Sequence, residues 1–212
     1  MTATRAVLFD LDGTLIDTGR DLLAALNALR AERGLPALDF EAVKYLVGHG
    51  SRRLMQEHLM EEGDELEPLR ERFLVEYDRA GHAQSKLFDG MQEVLDHLAA
   101  AGLPWAIVTN KPTKQTEDLL GKLDLRPAPS HVVCSDTLPR HKPYPDGLLH
   151  VCKELGVEPA ACFYVGDNDL DVRASGACGM PFLAAGWGYW EPDKPAERLL
   201  ARPQEIIAAL AS

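Results

Sequence analysis

No apolar stretch among the 212 residues approaches the roughly 20 that a membrane-crossing helix requires. The opening segment, MTATRAVLF, is too poor in apolar residues for a secretory leader, whose hydrophobic region takes about 7–15 residues. The expected location is therefore cytoplasmic, with no membrane partner. Cysteine is scarce as well: Cys134, Cys152, Cys162 and Cys178 are widely spaced and form no C-x-x-C pair. That spacing argues against zinc and against a disulfide framework, and the four read as buried reduced thiols. Positive charge is in deficit, with 22 Lys and Arg against 33 Asp and Glu and a net charge of −11. Nucleic acid and anionic surfaces are repelled by such a chain, and a small anionic ligand needs a local positive centre. Internal repeats and low-complexity tracts are also missing.

What is present is 46% hydrophobic residues, enough for a sizeable core. Five short apolar runs read as buried strands: AVLF (6–9), WAIV (105–108), HVVC (131–134), CFYV (162–165) and PFLAA (181–185). Amphipathic segments separate most of them. In MQEVLDHLAAAG, Met91, Val94, Leu95 and Leu98 keep helical spacing and Gly102 is placed to stop the helix. PDGLLHVCKELG repeats the pattern with Gly156 as the stop, and PTKQTEDLLGKL and DLDVRASGA are further helices. Alternation of strand and helix predicts an α/β fold, a doubly wound Rossmann-like parallel sheet covered on both faces. Residues 18–86 break the alternation. They contain no convincing strand and four helical candidates, so the predicted organisation is a core of residues 1–17 and 87–212 with an all-helical cap of residues 18–86. WGYWEPDKPAERLLARPQ reads as a loop before a last helix at about 203–211.

In open α/β sheets, ligands bind beyond the carboxyl ends of the strands. The residues following each apolar run are therefore informative. They are Asp10-Leu11-Asp12-Gly13-Thr14, then Thr109-Asn110-Lys111, then His141-Lys142-Pro143 beyond a loop, then Gly166-Asp167-Asn168-Asp169-Leu170-Asp171. Two carboxylates about 7 Å apart along one extended chain repel unless a positive group lies between them. If the first and fourth runs pair, Asp10 and Asp167 are neighbours and make a site for Mg²⁺, a hard ion that keeps much of its water. One aspartate can then attack phosphorus, and the acid two residues later can protonate the leaving oxygen and activate water. Thr109 and Lys142 can hold the phosphoryl oxygens.

The four segments DLDGT, VTN, HKPYPD and GDNDLD resemble, in order, the four motifs of the haloacid dehalogenase superfamily. Within it they resemble the phosphatases with a helical cap after the first strand, the phosphoglycolate phosphatase-like branch. The resemblance spans nearly the whole chain. It implies Asp10 as nucleophile and Mg²⁺ ligand, and Asp12 as general acid/base with its carbonyl on the metal. It implies Thr109 and Asn110 on the phosphoryl group, Lys142 steadying Asp10 and the phosphate, Asp167 as a direct metal ligand and Asp171 as one acting through water. The dehalogenases of the family lack a second acid at the position of Asp12, so phosphoryl transfer is expected.

Asp169 reads as a helix-start acid favoured by the helix dipole, and Asp17 and Asp21 as caps or hinge residues. In the cap, VGHGSRR places two glycines around His49 and an arginine pair just after. A similar G-x-G segment occurs in the cap of phosphoglycolate phosphatases, so His49 and Arg52 are expected on a loop that reaches an anionic substrate group. The expected substrate is a small phosphorylated metabolite, 2-phosphoglycolate or a similar acid. Sugar phosphates, including an amino-sugar 6-phosphate, and a sugar phosphomutase activity stand as alternatives. A phospho-acceptor signalling module is the rival from another class, and a monomer or homodimer is expected.

Overall fold

All four residues of β1, Ala6–Phe9, are fully buried, which places this strand in the middle of the molecule. The computed structural model describes residues 4–210. Six strands form a parallel sheet, and β1 pairs on one side with β4 (Trp105–Val108) and on the other with β6 (Cys162–Gly166). Beyond β4 lies β5 (His131–Val133), and beyond β6 lie β7 (Phe182–Ala185) and β8 (Leu199–Leu200). Phe9 is in register with Ile107 and Val165, so the carboxyl ends of the three central strands are level. The strand order reverses at β1, which makes its end the switch point where such sheets bind ligands.

Side chains alternate across the sheet. Val7 and Phe9 join one apolar cluster, which takes in helices α5 (Met91–Ala100) and α9 (Glu205–Leu210). Ala6 and Leu8 join the opposite one, with Leu148 and Val151 of α7 (Asp146–Leu155) and Ala174 of α8 (Asp169–Ala177). Helix α6 (Thr113–Leu123) links β4 to β5. Gly156, at φ 65°, ends α7 as its sequence spacing indicates, because a left-handed terminal residue is best supplied by glycine. The last helix is shorter than expected and begins at Glu205; residue 211 lies outside the described residues.

After β1 the chain leaves the sheet through β2 (Ile16–Asp17) and returns through β3 (Lys86–Leu87), and these two-residue strands pair antiparallel. Neither they nor β8 were expected, since two residues carry no readable periodicity. Between them lie α1 (Gly19–Glu32), α2 (Phe40–Val47), α3 (Ser51–His58) and α4 (Leu66–Ala80). These four helices enclose a third apolar cluster that includes Leu26, Leu54, Met55 and Phe73. Buried Asp21 closes the base of the four helices, accepting hydrogen bonds from Ser85 Oγ at 2.6 Å and from the Gln84 N–H. Tyr189, from the loop after β7, enters the same cluster. Its hydroxyl accepts from Gly19 N and donates to Asp17, both at 2.7 Å. Thus the Asp17 and Asp21 carboxylates fasten the insertion. No helix among the described residues is long and apolar enough to cross a membrane.

Candidate active site

Asp10 follows β1 directly and is almost completely buried, with 4% of its surface exposed. Its backbone N–H still donates to Val165 O, and its Oδ1 accepts from Leu11 N at 2.7 Å. The chain then turns sharply. Leu11 O accepts from the N–H groups of Leu15 and Ile16, and Gly13 takes φ 83°. A Cβ at Gly13 would lie 2.1 Å from Asp167 Oδ2, so the backbone here must pass a carboxylate at close quarters. The turn presents Asp12 to the cleft, where its Oδ1 accepts from Thr18 Oγ1 at 2.6 Å and from Lys111 Nζ at 3.1 Å.

Carboxylate oxygens of Asp10, Asp167 and Asp171 lie within 4.8 Å of one another, and all three residues are buried. Lys142 Nζ sits among them, 2.8 Å from Asp10 Oδ1 and 2.7 Å from Asp171 Oδ1. The Tyr164 hydroxyl completes the group at 3.0 Å from both Lys142 Nζ and Asp171 Oδ1. Asp171 Oδ2 is engaged too, accepting from the Asp167 and Asn168 N–H groups at the start of α8. Asp167 Oδ2, in contrast, is buried without any hydrogen-bond partner.

One ammonium does not balance three buried carboxylates. Burial raises the Asp10 carboxyl to about 7, against the opposing pull of Lys142. Burial and the neighbouring Asp10 and Asp171 push Asp167 well above the usual carboxylate range. Lys142 stays firmly protonated, because the attraction of Asp10 and Asp171 outweighs its own burial. The residues present suit a hard divalent cation: oxygen donors only, surplus negative charge, and one buried oxygen with nothing to bind. Asp10 and Asp167 retain free lone pairs for direct contact, while Asp171 is largely spoken for by Lys142 and the backbone.

Thr109 caps the end of β4, bonded through its N–H to Val133 O, and its Oγ1 accepts from Lys111 N at 3.1 Å. Asn110 joins two of the sequence segments, its Nδ2 donating to Lys142 O at 3.0 Å. Asp10, Asp12, Thr109, Asn110 and Lys142 all line one cavity of about 300 Å³, which extends between the sheet end and the helices of 18–86. The helical side reaches in through Gly48, whose carbonyl accepts from Asn168 Nδ2 at 2.9 Å. His49 and Arg52 line the cavity, yet each already faces a carboxylate. His49 Nδ1 lies 3.2 Å from Asp169 Oδ1, and Arg52 pairs with Glu67 at 2.5 Å. Asp169 starts α8 as expected, and its carboxylate also faces His49 and Lys194. Burial raises its carboxyl, but Lys194 and His49 outweigh that and leave it below the usual range.

Three residues of this neighbourhood have partners that the sequence alone does not indicate. Lys111, at 7% exposure, bridges Asp12 and the Tyr77 hydroxyl (2.9 Å) on α4. The desolvated phenol of Tyr77 is pushed up to about 12, so it stays a neutral partner at physiological pH. Tyr164 lies inside a strand run and looked like core. Lys111 was legible in principle, as the third polar residue beyond a strand; nothing local marks Tyr77 or Tyr164 as polar partners.

The haloacid dehalogenase-like hydrolase family matches this chain over residues 7–185. An N-acetylmuramic acid 6-phosphate phosphatase of Pseudomonas aeruginosa is 36% identical, over 97% of this chain and 94% of its own. A phosphoglycolate phosphatase of Xanthomonas campestris pv. campestris is 41% identical, over 89% of this chain and 86% of its own. Among solved structures, a HAD-superfamily hydrolase of subfamily IA, variant 1, from Geobacter sulfurreducens superposes with a TM-score of 0.75. It is 27% identical, over 99% of this chain and 97% of its own. With the motif order, the level strand ends and these likenesses in agreement, the chain belongs to the haloacid dehalogenase-like hydrolase family and is one of its phosphatases.

Proposed function

We propose that the chain is a Mg²⁺-dependent, cytoplasmic phosphomonoester hydrolase that transfers the phosphoryl group of a small phosphorylated acid to Asp10 and then releases it to water. The observation that carries this reading is the buried Asp10 carboxylate, steadied by Lys142 at 2.8 Å and flanked by the partnerless Asp167 oxygen. Asp10, the Asp12 carbonyl and Asp167, with Asp171 through water, would hold a Mg²⁺ ion, which would supply positive charge where phosphoryl oxygens gather. Thr109 and Asn110 receive those oxygens, and Lys142 offsets the charge that builds on them. Asp10 attacks phosphorus and the ester bond breaks. Asp12 gives a proton to the leaving oxygen, then takes one from the water that cleaves the acyl phosphate. The helices of 18–86 act as the cap that keeps bulk water out during the first step.

Phosphoglycolate and N-acetylmuramic acid 6-phosphate, the substrates named for the two relatives, are both phosphomonoesters that carry a carboxylate. A cavity of about 300 Å³ reaches the range that holds ligands of drug size, which favours the amino-sugar acid over the two-carbon one. A steady-state assay with an aryl phosphate tests the enzyme class. Phosphate release is expected with Mg²⁺ and is expected to fall by about 100-fold or more after chelation, recovering on Mg²⁺ addition. Undiminished turnover in chelator would exclude the metal-dependent reading, and a single stoichiometric burst without turnover would favour the signalling module.

A further inference from the structure

The cations around the cavity are nearly all engaged. Lys142 serves Asp10 and Asp171, Lys111 serves Asp12, and Arg52 is more than half exposed and pairs with Glu67. Arg70, on α4, differs. It lines the same cavity and is half-buried, yet it makes no ion pair or hydrogen bond among the described residues. Across the cavity its field reaches Asp136, but that carboxylate is already bound by the Thr113 N–H at 3.0 Å and the Thr113 hydroxyl at 2.5 Å. A half-buried guanidinium that feels Asp136 across the cavity but makes no ion pair or hydrogen bond with it has its donors open to an incoming anion.

Helix geometry says where that anion lies. Arg70, Phe73, Leu74 and Tyr77 are spaced i, i+3, i+4 and i+7, share one face of α4, and all line the cavity. Tyr77 stands at the catalytic end, bonded to the lysine that holds Asp12. Arg70 stands seven residues earlier, about 10 Å along the helix axis. Phe73 and Leu74, with Leu22 and Val47, make an apolar wall between the two ends. The phosphoryl end of a substrate is fixed by Asp10 and Lys142, so an anion at Arg70 must sit at the far end of the leaving group. In a two-carbon acid the carboxylate is only two bonds from the ester oxygen, too near the reacting end to span this wall.

We infer that Arg70 is a specificity-determining residue that binds a carboxylate on the leaving group, about one sugar ring away from the phosphoryl group. The inference rests on the phosphatase reading above and deepens it to a substrate class: a phosphorylated sugar acid whose ring lies against Phe73 and Leu74.

Two substrates isolate the effect. N-acetylmuramic acid 6-phosphate and N-acetylglucosamine 6-phosphate share the 6-phosphoryl and acetamido groups and differ by a lactyl ether that carries the carboxylate. The quantity to measure is the ratio of their kcat/KM values in the native protein, Arg70→Gln and Arg70→Lys. The native ratio is expected to favour the acid and to fall about 30-fold in Arg70→Gln, mostly through KM, with partial recovery in Arg70→Lys. Circular dichroism of each variant checks that the fold is retained. A ratio unchanged in Arg70→Gln, or equal losses on both sugars, would overturn the assignment. So would a native protein that hydrolyses an aryl phosphate without preferring the acid, and that outcome would leave the phosphatase reading standing. Absence of any aryl phosphate hydrolysis would instead sink the phosphatase reading itself.

Discussion

Asp10→Asn is expected to lower phosphate release by about 10⁴-fold or more, because the amide cannot act as the nucleophile in the transfer step. The fold is expected to survive. Asparagine matches the carboxylate in shape, and its Oδ1 can still accept from Leu11 N as Asp10 does at 2.7 Å. Its loss of charge relieves a crowded site. Burial raises the native carboxyl from 3.8 to about 7, so above pH 7 the metal-free folded protein carries a buried negative charge at a cost. The metal-free variant should therefore melt no lower than the native protein at pH 8. Thermal unfolding by circular dichroism and a phosphate-release assay on the same preparation check both halves. A folded variant with near-native turnover would remove Asp10 from the role assigned to it.

Lys142→Met is expected to have the largest effect on stability. The methionine fills much of the lysine's volume but removes the ammonium that lies within 2.8 Å of both Asp10 and Asp171. Breaking a buried pair from one side leaves uncompensated charge, which costs about 3–5 kcal/mol. The pH dependence has a definite sign. An acid whose folded pKa is raised binds more protons folded than unfolded between its ordinary value, 3.8, and about 7. Stability of the metal-free native protein therefore falls as pH rises through that window. Lys142 opposes this rise, so its loss moves the folded Asp10 value further up and extends the fall to higher pH. The deficit of Lys142→Met should be smaller at pH 5, where Asp10 is protonated, than at pH 8. Urea denaturation at the two pH values measures it. Equal deficits would mean that the ammonium does not act through the carboxylates.

Much of this arrangement was legible before the structure. The apolar quartets at 6–9 and 105–108 can only be buried strands in a chain that alternates with amphipathic helices, and the polar residues after them must then gather at one edge. That logic reaches Asp10, Thr109 and Asp167 because each is fixed by a strand end next to it in sequence. It also finds the helices of 18–86, whose apolar spacing is local. What it cannot reach is pairing between distant segments. Arg52 follows a glycine turn in the manner of a substrate loop, but only the packing of α3 on α4 shows that Glu67 also lies within ion-pair distance of it. Lys111 and Tyr77 are 34 residues apart, and their 2.9 Å contact depends on how α4 settles over the sheet end. Tyr189 sits in a Trp- and Pro-rich stretch that reads as loop packing. Its hydroxyl in fact ties the insertion to the core through Gly19 and Asp17.

The transient acyl phosphate on Asp10 is tested most directly by trapping it. An Asp12→Asn variant keeps the nucleophile and loses the group that activates water, so the acyl phosphate should accumulate during turnover of an aryl phosphate. Acid quenching, proteolysis and fragment mass spectrometry of the peptide containing residues 6–18 then locate the modification. The expected result is one added phosphoryl group, on Asp10, absent when Asp10 is also replaced by asparagine. An unmodified Asp10 while the quenched variant is still releasing phosphate, or a phosphoryl group on any other residue, would contradict it.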